Sequence, residues 1–494
     1  MLTKIQLKRK TKLNANRKLI VLCGLASGLY PLIYLYSSNF ALISSLHQFV
    51  AFSVIFLVLP TILLVSLYYG SQFFKTGNNK TLLVFTFLNL SICCCLMLYA
   101  TYGFNKKVIV ILIFVSFLLA LIFSNYLDKI VRFQFLLAFV GLLFLMPTLI
   151  GCMEYKNDWY ADTTKAIQPE FKKKPNIYLI QPDGYVGFSQ VNRGFYNYNN
   201  EGFRNFLESQ DFTLYPNFRS NYYSTLSSNS SLFTMNHHFY GYTNSDKELL
   251  FARNVIVGEN PVLSILKNNG YTTNLILENG FLLVNRPRIA YDTYNISLDE
   301  IPILSNGFDI NKSVNVSLQE SISKSSEQPE FYFIERILPG HISTYKPHSK
   351  GKEIERLKYL EELAEANKWL TEIVNLITKQ DPNSLVIIAA DHGGFVGYDY
   401  SAQSIETPNS DDHIHSMFSS LLAIKWPAEK PDYKDELLSS VNLFRFLFSY
   451  LSEDSTILKT LQDDKSYLKL NDDINDGLFE VLNKSGTALK KIDH

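Results

Sequence analysis

The chain has 494 residues, and its charge is absent where it would be most expected. Between Lys18 and Lys75 there is no Asp, Glu, Lys or Arg. Residues 1–153 contain a single acid, Asp128, against 13 Lys and Arg. The remainder lacks cysteine altogether: all five (Cys23, Cys93, Cys94, Cys95 and Cys152) lie in the first third. A disulfide framework is thereby excluded for residues 154–494, a stretch long enough to bury a core without one. That stretch also lacks a basic surplus, with 33 basic and 45 acidic residues, which argues against a nucleic-acid partner. No P-loop pattern occurs, so nothing points to ATP as a phosphate source.

Long apolar runs fill the charge-poor third. A bilayer core takes about 20 apolar residues per helix, and five such spans fit: roughly 19–37, 48–69, 81–103, 108–126 and 133–152. Pro31, Pro60 and Pro147 fall inside them, which membrane helices tolerate. A cleaved leader would not be followed by four further spans. Lys4, Lys8, Arg9, Lys10, Lys12, Arg17 and Lys18 precede the first span, and Lys75, Lys80, Lys129 and Arg132 fall in loops on the same side. Only Lys106 and Lys107 fall on the other. The positive-inside bias therefore puts the N-terminus in the cytoplasm. Five crossings then place residues 154–494 outside it, on a multi-pass protein of the inner or plasma membrane. Residues 1–153 read as the membrane domain, 154–175 as a linker and 176–494 as an extracytoplasmic domain.

That last domain alternates strand and helix. "NIYLIQ" (176–181), "YTTNLIL" (271–277), "EFYFIERIL" (330–338), "SLVIIAA" (384–390) and "FSSLLAIKWP" (418–427) read as strands. Helical patterns occupy 200–209, 260–270 and 352–379, while 304–329 reads as a surface loop or insertion. The fold class is α/β, with a mostly parallel sheet covered on both faces. Ligands gather at the carboxyl ends of strands in such sheets, where Asp183, His341, Asp391 and His392 stand.

In "IIAADHGGF" (387–395) a carboxylate and an imidazole follow a buried strand. Buried charges of this kind are paired or bound to metal. With Asp183 after the first strand, the mixed O and N donors suit zinc or manganese, with magnesium a further candidate. The competing reading for any one Asp is a turn or helix cap. A nucleophile is sought in "YYSTLSSNSSLFTM" (222–235), where composition alone does not choose among the hydroxyls. His237 and His238 read as packing residues and His348 as exposed.

The order "NIYLIQPDGY … STLSSNSSLFTM … DHGG … LLAIKWP" resembles the alkaline phosphatase/sulfatase superfamily. The helical front end resembles its membrane branch, the lipoteichoic acid synthases and lipid A phosphoethanolamine transferases. The resemblance implies an alkaline-phosphatase-like sandwich in which Asp183, Thr225, Asp391 and His392 hold the metal and Thr225 is the nucleophile. It implies substrate-binding or catalytic roles for His341 and for His413 or His415, and a substrate-side role for Ser228. The Cys or Ser signature of true sulfatases, with its Pro and Arg, is missing from "TLSSN" (225–229). The implied activity is transfer of a phospho-head-group, of phosphoethanolamine or glycerol phosphate type, from a phospholipid donor to a cell-surface glycan or glycolipid. A phospho-threonine would be the intermediate. The alternatives are a phosphodiesterase or phosphatase that ends on water, and an inactive relative serving as a membrane scaffold.

Overall fold

The computed structural model describes residues 17–73, 77–156, 159–161, 163, 167–241, 249–324, 327–405, 410–433, 435–471 and 476–489. The basic residues expected before the first span, from Lys4 to Lys12, lie outside them, as does Lys75. The chain divides into two compact units, Met1–Glu154 and Tyr155–His494.

The described residues of the first unit are helical apart from short connections. Helix α1 is Arg17–Ile43. Helix α2 is assembled from Leu46–Ser53, a π-helical turn at Val54–Val58, and Leu59–Phe73. Helices α3 (Asn78–Tyr102), α4 (Lys106–Phe123) and α5 (Leu127–Glu154) follow. By length and composition four continuous stretches could cross a membrane, the last running on through α4 and α5. A short 3₁₀ turn at Ser124–Tyr126 interrupts that stretch, and side-chain contacts show that the chain reverses there. The Phe87 and Phe117 rings lie 5.8 Å apart, pairing α3 with α4. Gln134, 17 residues beyond Phe117, would be about 25 Å further along one straight helix. Instead it meets Asn89, two residues from Phe87. The two amides exchange hydrogen bonds of 3.0 and 2.9 Å, and Asn89 also donates to the Cys23 carbonyl. Such a closed set suits an apolar surround, where an unmet amide is costly.

The second unit is built on a seven-stranded sheet of order β2-β7-β6-β1-β5-β3-β4. The strands are β1 (Ile177–Pro182), β2 (Thr213–Leu214), β3 (Thr272–Leu277), β4 (Thr293–Tyr294), β5 (Glu330–Arg336), β6 (Leu385–Ala389) and β7 (Leu422–Lys425). β1 pairs in parallel with both β5 and β6, and β3 with β4 and β5; only β7 runs against its neighbours. The strands are buried on both faces, which is why they read as continuous apolar runs. Ile177, Leu179, Phe331 and Phe333 face one core, and Tyr178, Ile180, Tyr332 and Ile334 the other. The first face is covered by α6 (Thr225–Thr234), α7 (Pro261–Asn268) and α10 (Leu443–Ser452); the second receives α8 (Val314–Ser323) and the long α9 (Lys352–Gln380).

Two stretches differ from expectation. The segment 304–329, expected as a loop, contains α8, whose Val314 and Leu318 are buried one turn apart against the sheet. Its polar Ser and Asn are the outer face of an amphipathic helix, and Asn315 accepts from the Trp369 indole. Within 154–175, expected as a linker, Ile167 and Phe171 are buried in the first core. The Phe171 N–H donates to Asn269, and the Lys172 and Lys173 N–H groups to the Leu451 carbonyl.

Candidate metal and nucleophile site

Three carboxyl ends of strands supply the site. β1 runs into Asp183, whose N–H donates to the Arg336 carbonyl at the end of β5 and whose carbonyl accepts from Gly340. β6 runs into Asp391 and His392, 2% and 1% exposed. Thr225 is the first residue of α6, and Ser224 before it is extended. That helix is anchored by Leu226, Leu232 and Phe233 in the core and by a reciprocal 2.8 Å amide pair between Asn229 and Gln181 of β1.

The geometry is tight. Thr225 Oγ1 donates to Asp183 Oδ1 at 2.9 Å and lies 3.3 Å from His392 Nε2. One donor atom each from Asp183, Asp391 and His392 falls within 4.8 Å of the others. His392 Nδ1 is 2.8 Å from the Gly393 carbonyl. A carbonyl only accepts, so the proton sits on Nδ1 and Nε2 presents its lone pair to the cluster. Asp391 Oδ1 accepts from the N–H groups of Gly184 and His392. Its Oδ2 is buried without a hydrogen-bond partner among the described residues.

That orphaned oxygen tests whether a cation fits. Two buried carboxylates are unfavourable together unless positive charge compensates both, and His392, 3.3 Å from Asp391 Oδ2, supplies one charge at most. Burial pushes the Asp391 carboxyl up to about 6, with His392 pulling against it and Asp183 adding to it. Burial disfavours the His392 cation, but Asp391 and Asp183 outweigh it and hold its pKa above the ordinary value. The donor set of two carboxylates, one imidazole and a hydroxyl suits a divalent ion. The N-terminal end of α6, which favours anions, opens beside the same cluster at Thr225.

His341 is exposed at the mouth of this cluster. Its ring lies 5.9 Å from that of His392, and Phe395 lies within 5.7 Å of both. Its Nδ1 is 2.6 Å from the Ile342 carbonyl, which leaves Nε2 as an acceptor. Crowding by neighbouring atoms, and then the charge of His392, lower its pKa.

No family model matches the sequence, and no curated protein matches it. Solved structures do match. The C-terminal periplasmic domain of EcEptC from Escherichia coli is 12% identical over 64% of this chain and 96% of its own, with a TM-score of 0.41. That domain is also solved as a complex with Zn. The C-terminal periplasmic domain of the phosphoethanolamine transferase EptC from Campylobacter jejuni is 16% identical over 57% and 90%, with a TM-score of 0.37. The lipoteichoic acid synthase LtaP from Listeria monocytogenes is 15% identical over 63% and 84%, with a TM-score of 0.41.

Asp183, Thr225, Asp391 and His392 are thus brought together, with His341 beside them. Three other residues were expected at the site. Ser228 is 1% exposed and its hydroxyl donates to the Asp391 carbonyl at 2.6 Å, so it fastens α6 to the end of β6 instead of facing substrate. His413 is held by Ser410 Oγ on Nδ1 and the Gly397 carbonyl on Nε2, between the rings of Phe195 and Tyr398. His415 stands on the helix Asp411–Phe418, whose Met417 carbonyl accepts from the Gly393 N–H beside the cluster.

Two supporting tyrosines carry no sequence signal, since an aromatic on an apolar stripe reads as core. Tyr359 of α9 donates to the Gly184 carbonyl at 2.9 Å and accepts from the Val186 N–H. Tyr196 accepts from the Gly394 N–H at 2.9 Å. Gly394 is required there: a Cβ would stand 2.2 Å from the Tyr359 ring. Gly394→Ala is therefore expected to cost about 1–3 kcal/mol in thermal unfolding, as overpacking does. By shifting Tyr359, and with it the Asp183 turn, it should lower turnover about 100-fold. Wild-type stability and turnover in this variant would mean that Tyr359 does not fix the turn.

Proposed function

We propose that the protein is a membrane-anchored, metal-dependent transferase that moves a phospho-head-group from a phospholipid to a hydroxyl on a cell-surface glycan or glycolipid. The observation that carries this reading is Thr225 Oγ1 within hydrogen-bond reach of Asp183 and His392, beside the orphaned Asp391 oxygen. A hydroxyl in that position is an activated nucleophile, and the apolar helices of the first unit supply the anchor. The catalytic unit lies on the extracytoplasmic side, as the Lys and Arg distribution indicates.

Asp183, Asp391, His392 and Thr225 would hold the ion, which supplies charge stabilisation to the phosphoryl oxygens. Thr225 Oγ1 attacks phosphorus in line, forming the Oγ1–P bond as the bond from phosphorus to the glycerol oxygen breaks. Asp183 receives the threonine proton, which ends on the departing diacylglycerol. The acceptor hydroxyl then attacks the phospho-threonine, His341 Nε2 takes its proton, and that proton returns to Thr225. The N-terminal end of α6 favours the anionic phosphate in both steps.

Incubating the full-length protein with membranes and analysing peptides by mass spectrometry should reveal a head-group phosphate on the peptide containing Thr225. No such mass should appear in Thr225→Ala. With a glycan acceptor, labelled head group should pass to the glycan. Label recovered only as free head-group phosphate would instead identify a hydrolase.

A further inference from the structure

A cavity of about 610 Å³ opens in the second unit beside the edge strand β2, with walls including Phe188, Ser189, Asn192, Arg193, Arg204 and Asn217. Its volume lies within the roughly 300–1,000 Å³ of sites that enclose small molecules. The register of the sheet fixes where it stands. β2 and β6 both run against β7 and are therefore parallel to each other. Leu214, Ala423, Ile388 and Ile180 form one row across β2, β7, β6 and β1. Three residues past that row stand Asp183 after β1 and Asp391 after β6. Three residues past Leu214 stands Asn217, in the turn that the Phe218 N–H closes on the Tyr215 carbonyl. The cavity thus opens at the end of the sheet that carries the metal and nucleophile cluster, two strand spacings from β6 and three from β1, or roughly 10–14 Å. A second link runs along the chain: Gly194, next to Arg193, lies against Asp412, where a Cβ would stand 3.7 Å from Oδ1. Asp412 belongs to the helix whose Met417 carbonyl accepts from Gly393.

The walls specify the ligand. Asn192, Arg193 and Asn217 are exposed and Ser189 is half-buried, so a molecule in the cavity can reach them. Their side chains make no hydrogen bond among the described residues. Asparagines elsewhere in the unit, such as Asn200, Asn221, Asn229 and Asn260, bond to the protein itself. Amides and hydroxyls both donate and accept, as sugar hydroxyls do, and the half-buried Phe188 ring supplies an apolar wall. The charge is equally definite. Arg204 is matched by Glu201 at 3.7 Å and Glu208 at 3.2 Å. Arg193 has no ion pair among the described residues, in a stretch of chain that is otherwise acidic, with 33 basic and 45 acidic residues. A guanidinium left open in this way suits a carboxylate or phosphate, which it can grip with two parallel hydrogen bonds.

We infer that this cavity binds the acceptor glycan through a sugar bearing a carboxylate or phosphate, with Arg193 on the anion and Asn192 and Asn217 on the sugar hydroxyls. The inference rests on the transferase reading for the word acceptor; the sugar site itself stands on the cavity and its unpartnered side chains.

The test uses the full chain in phosphatidylethanolamine nanodiscs, titrated with three probes and read by saturation-transfer NMR: neutral maltotriose, trigalacturonate and a phosphorylated maltotriose. At least one anionic probe should bind about tenfold or more tighter than maltotriose, the worth of a charge-assisted hydrogen bond; which of the two does so tells carboxylate from phosphate. Arg193→Ala should bring that probe down to the level of maltotriose, and Arg193→Lys should restore part of the difference. The double variant Asn192→Ala with Asn217→Ala should weaken all three probes. Equal binding of neutral and anionic sugars, or anionic binding unchanged in Arg193→Ala, would overturn the inference. With labelled phosphatidylethanolamine, the bound anionic sugar should discharge the Thr225 adduct; an adduct that forms and persists in its presence would overturn the acceptor role. Sugar binding requires no turnover, so failure to form the adduct at all would count against the transferase chemistry and leave the binding result readable.

Discussion

Asp391→Asn is expected to abolish cation binding and lower turnover by about 10³-fold or more, and yet to make the metal-free protein more stable. The two effects share one origin. Asp391 Oδ1 accepts from two backbone N–H groups, a role the asparagine oxygen would retain. Asp391 Oδ2 lies 3.3 Å from His392 Nε2, and the two carboxylates hold the His392 pKa above its ordinary value. One imidazolium compensates one carboxylate, and with Asp183 close by a second negative charge stays buried in the metal-free site. Asparagine there would remove one of the two like charges. Replacing a poorly compensated buried charge by a satisfied neutral group commonly gains about 1–2 kcal/mol. Thermal unfolding with chelator should therefore place the variant above the wild type. Adding zinc should raise the wild type, by mass action on the folded state, and leave the variant unmoved. A variant less stable than the chelated wild type would show that Asp391 earns its place without a cation, and the metal reading of the site would fail with it.

The residues that make up this cluster were legible because each follows a strong local signal. A short apolar run that ends on a charged residue reads as a strand delivering that residue to a sheet edge, and Asp183 and Asp391–His392 both sit so. Parallel pairing of β1 with β6 then sets those ends side by side. Thr225 was reached only through resemblance, because six hydroxyls crowd residues 224–231 and composition does not rank them. What ranks them is place in the helix: residue 225 opens α6 and is half-buried, whereas every residue from 226 to 234, Ser227, Ser228, Ser230 and Ser231 among them, is buried. His413 differs. A histidine before a last strand has the same local sequence whether its ring reaches the site or is locked between Phe195 and Tyr398. Only tertiary packing decides, and for His413 it decides for the lock. Tyr359 and Tyr196 were invisible for a related reason: their hydroxyls bond backbone groups far away in sequence, and no short window contains both partners.

Thr225→Ala should separate the two functions that Asp391→Asn removes together. It deletes the oxygen proposed to attack but leaves Asp183, Asp391 and His392 in place. Cation binding should persist, weakened by the loss of one ligand, while turnover falls by about 10⁴-fold or more, as expected when a covalent nucleophile is removed. Thr225→Ser restores the oxygen at the same carbon and should recover activity to within about tenfold of wild type. The shortfall has a definite source. The threonine methyl restricts χ1, and that restriction helps hold Oγ1 towards Asp183 at 2.9 Å. Serine at the half-buried first position of α6 samples other rotamers and is aligned for less of the time. Its adduct, when trapped, should shift to the serine-containing peptide. Metal content measured beside turnover in these two variants decides between roles for the residue. If Thr225→Ala loses its ion as completely as Asp391→Asn, the hydroxyl is chiefly a ligand. If it keeps the ion and loses only the adduct, Thr225 is the group that attacks phosphorus.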